Sequence, residues 1–273
     1  MVIKSSFFNI CLIILLTLSC QVRADEALTA VNFKGVYEFG FEGLMFGRAG
    51  FEIEQDAKHY NAAADIMSGG IAKLFIHHSS HTTTVATGSN YNYPSIVYES
   101  NYHTNKKQRY VKLTYKGGEL AEEKIVPPEN PERRPPVPQA QKKDAADLLT
   151  FILRMRLGLI DAMKQNKQTY NVKAYDGRRL MEIDFTVLGR KHLRGSDDKT
   201  AIAVAVRRKL LAGYTPSELA DYDPKEPTLT IYFTDDAKLI PVRFEVPMMI
   251  GMLSANLVKE CGAGESCLLG VTN

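Results

Sequence analysis

Met181-Glu182-Ile183-Asp184-Phe185 alternates apolar and acidic side chains without a slip. Successive strand side chains point to opposite faces, so one face of this stretch is apolar and the other carries carboxylates. The period recurs outward in both directions. Val31 to Glu42, Phe51-Glu52-Ile53-Glu54, Thr82 to Thr87, Ile96-Val97-Tyr98 and Tyr110-Val111-Lys112-Leu113-Thr114-Tyr115 carry it upstream. Ala201 to Arg207, Leu229 to Phe233, Val242 to Val246 and Gly251 to Val258 carry it downstream. Turn formers stand between them at Gly117-Gly118, Asp176-Gly177, Asp223-Pro224 and Asp235-Asp236. The pattern predicts a mostly β fold, an antiparallel sheet with one packed face and one wet face.

One segment breaks the period. From Asp144 to Gln165, Leu148, Ile152, Met155 and Leu159 recur at helical spacing, with Leu149, Leu153 and Ile160 beside them. Asp144 reads as the N-cap, and Asp147 suits the positive end of the helix dipole. So broad an apolar stripe predicts a helix sandwiched between layers. Just upstream, residues 126–141 carry Pro127, Pro128, Pro131, Pro135, Pro136 and Pro138. This reads as an extended polar connector between an N-terminal β half and a helix-plus-β half. Strands in both halves need partners, so residues 25–273 read as a single β-rich domain.

The N-terminus reads as an export signal over residues 1–24. Lys4 is the basic start, Phe7 to Ser19 is an apolar run too short to span a bilayer, and Val22-Arg23-Ala24 fits a cleavage site. Lipoprotein processing at Cys20 is the rival, weakened by Thr17 where a lipobox has Leu. No later stretch is long and apolar enough to read as a transmembrane helix. Localisation is expected to be the periplasm. Of the 4 cysteines, Cys11 and Cys20 lie in the signal. Cys261 and Cys267 are left, and export favours a disulfide between them. Its short loop predicts a gain of about 2 kcal/mol in the chain-entropy picture.

The chain has 273 residues, 45% hydrophobic and 24% charged, with a net charge of +3. These are globular values, and the charge is too small for a nucleic-acid binder. Catalytic patterns are weak. His77-His78-Ser79-Ser80-His81 cannot converge on a metal from one strand, because His78 points away from the other two. Ser68 lacks a nucleophile elbow, and Glu52, Glu54, Asp184 and Glu245 alternate with apolar residues without forming a recognisable acid–base pair. No cofactor or metal is expected. Arg109, Arg178, Arg179 and Arg243 sit at strand ends, at a turn and inside a strand. If the face of Arg243 lines a barrel interior, Arg243 would greet an anionic head group by bidentate hydrogen bonds. Facing solvent, Arg243 and Glu245 would be an ordinary polar stripe.

Several short motifs, in order, resemble the exported bacterial family catalogued as domain of unknown function 3108. They are Tyr37-Glu38-Phe39 with Gly47-Arg48-Ala49-Gly50, then Ser68-Gly69-Gly70, and Tyr93-Pro94 through Tyr102 with Arg109-Tyr110-Val111. Next come Asp144-Ala145-Ala146-Asp147-Leu148-Leu149 with Arg154, and Tyr175-Asp176-Gly177-Arg178-Arg179. Pro241-Val242-Arg243 and Gly251 to Leu257 close the series. The Cys261 to Cys267 extension is not part of the resemblance. The resemblance implies a curved antiparallel sheet forming an open barrel or β-spiral, with one long helix packed on or in it. It assigns no catalytic residues. The functional expectation is a non-enzymatic periplasmic cell-envelope protein. It would bind a lipophilic ligand or an envelope partner in the concavity, with Arg109, Arg178, Arg179 and Arg243 as polar contacts. An interaction module without cargo, and a hydrolase acting on a cell-wall or lipid substrate, are the alternatives.

Overall fold

The structure, a computed structural model, describes residues 30–70, 73, 77–88, 93–193, 200–224, 229–248 and 251–271. The export signal and Cys20 lie outside the described residues. The N-terminal half consists of β1 (Val31–Phe41), β2 (Leu44–Gln55), β3 (His59–Ser68), β4 (His78–Thr87), β5 (Ser95–Thr104), β6 (Gln108–Lys116) and β7 (Glu119–Val126). The C-terminal half consists of β8 (Thr169–Tyr175), β9 (Leu180–His192), β10 (Thr200–Ala212), β11 (Leu229–Thr234), β12 (Pro241–Met248) and β13 (Gly251–Glu260). Helix α1 (Leu148–Lys164) lies between the halves, and the short α2 (Pro216–Ala220) follows β10.

Each half is a run of antiparallel hairpins. Pairing of β1 with β13 joins them into one 13-stranded sheet whose edges are β7 and β8. The sheet is open. Every stretch that alternates in the sequence falls within one of these strands, save that β1 ends at Phe41, one residue before Glu42. In the opening stretch, Ile183 and Phe185 are buried as the period requires.

The edges approach one another through the chain that links them. Tyr175 Oη at the end of β8 donates to Glu123 on β7 at 2.9 Å, and Lys142 Nζ reaches the same carboxylate at 2.7 Å. Gln139 Nε2 donates to Leu120 O of β7, and Ala146 makes a parallel bridge to Ala174 of β8. The Pro-rich connector is therefore fitted rather than free. Arg134, Val137 and Lys142 are buried in it. Its backbone turns at Asn130, where the Arg133 and Arg134 amides donate to Asn130 O, and its side chains make the contacts.

The helix begins later than the sequence suggests. Its N-cap is Asp147, which accepts from the Leu149 and Thr150 amides, and Asp144 stands outside at φ 62°. The bridge holds Ala146 in extended pairing with Ala174, so no helical turn can run on from Asp144. From Asp147 onward the helix divides its apolar side chains between two clusters. Leu149 and Leu153 pack with Phe33, Tyr60, Tyr98 and Leu113 of the N-terminal half. Met155, Leu159 and Ile160 pack with Phe185, Val204 and Phe233 of the C-terminal half. Full burial of such side chains contributes roughly 2 kcal/mol each before entropy is charged. The helix fills the concavity. The enclosed space among Val31, Tyr60, Leu153, Phe233 and Ile240 holds only about 20 Å³.

The C-terminal tail folds back over the outer face of β2 and β3. Cys261 and Cys267 are disulfide-bonded. Glu52 accepts from Ser266 Oγ and the Cys267 amide, both at 2.7 Å. Asp65 accepts from the Leu269 amide at 2.8 Å. The tail can lie this close because Gly50, which meets Cys267 O, has no side chain.

Candidate functional site

Three of the four arginines expected from the sequence come together where the two sheet edges meet. Arg109 extends from β6, while Arg178 and Arg179 follow the β8–β9 turn. Asp176 shapes that turn by accepting from the Arg178 and Arg179 amides at 2.8 and 2.6 Å. Gly177 adopts φ 89° there, which an L side chain tolerates poorly.

Two carboxylates gather the guanidinium groups. Glu129, from the Pro-rich connector, pairs with Arg109 and lies 3.5 Å from both Arg134 and Arg178. Glu218, from α2, pairs with Arg179 and lies 3.0 Å from Arg134. Its position is set by a capping box, in which Thr215 caps the helix and Glu218 accepts from the Thr215 amide. Arg134 is the hub. It is 8% exposed, joins both carboxylates and donates to the Gly213 carbonyl. Four strongly basic groups thus meet Glu129, Glu218 and Asp176.

The electrostatics follow from this geometry. Burial opposes ionisation of Glu129, but the Arg109 hydrogen bond and the charges of Arg109, Arg178 and Arg134 outweigh it and hold its pKa below the usual range. Burial likewise opposes ionisation of Glu218, and hydrogen bonds from Arg134, the Thr215 amide and Arg179 drive its pKa far down. Arg178 shifts down, chiefly by burial, with repulsion from Arg109 and Arg179 adding to it. Depressed carboxylate pKa values contribute stability above the unfolded-state value and lose it as pH falls through the folded ones. The urea midpoint is therefore expected to fall as pH drops below about 4.3, the ordinary Glu value. Glu218→Gln is expected to flatten that slope. A midpoint whose acid slope is the same in both proteins would rule out this linkage.

Arg243 lies elsewhere. It sits on β12, 2.8 Å from Glu245, which also accepts from Tyr232 Oη. It lines a surface groove of about 870 Å³ together with Asp235, Asp236, Lys259 and Glu260. The expected four-arginine set is therefore three clustered groups and one separate one. Glu129, Arg134 and Glu218 complete the cluster and were not singled out in the sequence. They belong to a proline-rich stretch and a short helix, and they meet the arginines only through long-range contacts. The one local signal was Thr215-Pro216-Ser217-Glu218, a helix-start pattern that fixes Glu218.

The other candidates also find places. His81 Nδ1 lies 2.6 Å from Asp65, which is almost fully buried beneath the C-terminal tail. Burial lowers the pKa of His78, whose ring meets Tyr102 edge-on. Ser68 Oγ accepts from the His78 backbone amide at 3.1 Å, so the contact is not with an imidazole. Asp184 pairs with Lys209 across the β9–β10 hairpin at 2.9 Å. Among the described residues, no group of three or more His, Cys, Asp or Glu could hold a metal ion.

An open antiparallel sheet curled around one plugging helix, with its edges tied by an arginine–carboxylate cluster, defines a β-barrel-like protein. The chain belongs to the family described as a protein of unknown function (DUF3108), which matches residues 35–258. Among solved structures it resembles a crystal structure from Brucella abortus of a β-barrel-like protein of the domain of unknown function DUF1849. The TM-score is 0.54 at 13% identity, over 85% of this chain and 98% of that one. That likeness concerns the fold. No curated protein matches the sequence. The family match ends at 258, so most of the disulfide-bonded tail lies outside it.

Proposed function

We propose that this is an exported, non-enzymatic protein of the bacterial cell envelope that docks a protein partner on its surface and carries no cargo inside. The observation behind this reading is the filled concavity. An enclosed space of about 20 Å³ compares with roughly 300–1,000 Å³ for small-molecule sites. Admitting a lipid chain would require α1 to leave, exposing Leu149, Leu153 and Leu159, all of which are buried. Three carboxylates also serve the fold. Asp147 caps α1, Asp65 holds the tail, and Glu218 anchors Arg134. Export is supported by the N-terminal signal pattern and by the disulfide, a bond that persists in oxidising compartments.

The test is native mass spectrometry of the full-length gene product purified from periplasmic and membrane fractions. The expected species is a chain beginning at Asp25, with the Cys261–Cys267 bond intact and no adduct. A stoichiometric lipid-sized adduct would overturn surface docking in favour of a carrier. An acyl chain on Cys20 would overturn free release.

A further inference from the structure

We infer that the open edge of β8 is a docking site for an extended, acidic segment of a partner protein, which adds to the sheet as one more strand. This rests on the reading of the chain as a docking protein and assigns the surface.

A groove of about 920 Å³ runs between α1 and β8. Five consecutive residues, Thr169 to Lys173, line it. Neighbouring strand side chains face opposite ways, so a groove touching all five follows the strand edge and not one face. The Val187 amide donates to Gln168 O, which turns alternate backbone groups of β8 toward β9. Thr169, Asn171 and Lys173 therefore direct their N–H and C=O groups outward. The connector uses the far end, where the Ala146 amide donates to Lys173 O. No hydrogen bond among the described residues occupies the outward groups of Thr169 and Asn171. An unpaired edge of this kind is a template for strand addition unless it is guarded. The opposite edge is guarded by charge, since β7 carries Glu119, Glu122 and Glu123, and Gln139 of the connector donates to Leu120 O.

The chemistry of the walls selects the occupant. Leu157 and Tyr170 provide apolar contact, and Tyr170 Oη is buried without a hydrogen-bond partner. Arg154, Lys164, Lys167 and Lys173 line the groove against Asp144 and Asp161. Arg154 and Lys173 donate to the carbonyls of Asp144 and Lys143, which do not cancel their charge. Excess positive charge beside an unpaired edge fits a strand that alternates apolar and acidic residues. The unpaired length accommodates about four to six residues at roughly 3.3 Å each.

The probe is a fluorescein-labelled hexapeptide of alternating valine and glutamate, compared by anisotropy with its valine–lysine counterpart. The acidic peptide is expected to bind the full chain at micromolar concentration and to weaken as salt rises, while the lysine peptide does not bind. Asn171→Pro removes one outward N–H and leaves the β8–β9 ladder intact, as proline at a sheet edge does. It is expected to weaken binding about tenfold, or about 1.4 kcal/mol. Lys167→Glu, in the loop before β8, is expected to weaken acidic-peptide binding without touching the strand, so the test survives if Asn171→Pro fails to fold. Equal binding of the two peptides, or binding unchanged in folded Asn171→Pro and Lys167→Glu, would overturn the proposal. So would self-association in sedimentation that Asn171→Pro abolishes, since the edge would then pair with a second copy. Such a failure alongside an adduct-free native mass spectrum would remove this site and leave the docking reading standing.

Discussion

Asp147→Ala is expected to destabilise the protein by about 3 kcal/mol, the cost of a lost helix cap whose two buried amides are left unpaired. Asp147 is fully buried and its carboxylate accepts four hydrogen bonds. One oxygen takes the Leu149 and Thr150 amides at 3.0 and 2.9 Å, and the other takes Thr84 Oγ1 at 3.2 Å and Ser95 Oγ. These groups come from α1, β4 and β5, so one side chain both starts the helix and pins it to the N-terminal half. Tyr60 Oη adds a bond to Leu149 O at 2.8 Å, which fixes the first turn from β3. Alanine would strand the two buried amides, while the Thr84 and Ser95 hydroxyls keep Val97 O and Thr150 Oγ1 as partners. For a chain of this size the loss corresponds to a fall of about 10 °C in Tm. Asp147→Asn keeps one oxygen for the amides, and the Thr84 and Ser95 hydroxyls can rotate to accept from its amide. It is expected to lose only about 1–2 kcal/mol. Thermal unfolding followed by circular dichroism decides the matter. A Tm for Asp147→Ala within 2 °C of the parent would mean that the helix is held by its apolar stripe alone.

This dependence explains what the sequence made legible. Strands with one buried face announce themselves by period. Met181 to Phe185 and Tyr110 to Tyr115 did so, and both lie in β9 and β6. Three strands escaped notice: β8 (Thr169–Tyr175), although its composition suits a strand, and β3 and β7, which their environment makes strands. In β3, Ala62-Ala63-Ala64 favours helix locally, yet it is paired on both sides by β2 and β4. In β7 the run Glu119 to Lys124 carries four charged residues because it is an edge. The position of the helix cap was also beyond local reading. Asp144 and Asp147 are equivalent as caps on the chain, and only the long-range bridge at Ala146 chooses between them.

The arginine cluster shows the same division. The Asp176-Gly177 turn was readable, so the placement of Arg178 and Arg179 at a strand junction was too. Their partners were not, because Glu129 sits in a stretch whose prolines suggest a solvated spacer. The structure makes that stretch the tie between the sheet's two edges. Its guanidinium groups are already engaged by carboxylates, so they are better suited to holding the edges together than to receiving an anionic ligand.

Arg134→Ala is accordingly expected to cost about 3 kcal/mol, the lower end of the range for breaking a buried ion pair. The loss is not larger because Glu129 retains Arg109 and Arg178, and Glu218 retains Arg179. It is not smaller because Arg134 alone links the two carboxylates and also serves the Gly213 carbonyl. Arg134→Lys is expected to recover little, since an ammonium cannot reproduce the planar fork that spans these acceptors. The location of the damage separates this account from general destabilisation. Hydrogen exchange is expected to quicken first at the β7 and β8 amides and in residues 127–147, while β1, β2 and β13, far from the tie, keep their protection. In a double-mutant cycle with Glu218→Gln, the two losses are expected to sum to more than the loss in the double variant, because each removes the same bond. Additive losses and uniformly quickened exchange would show that Arg134 contributes packing, and that apolar contacts close the sheet without help from the charged cluster.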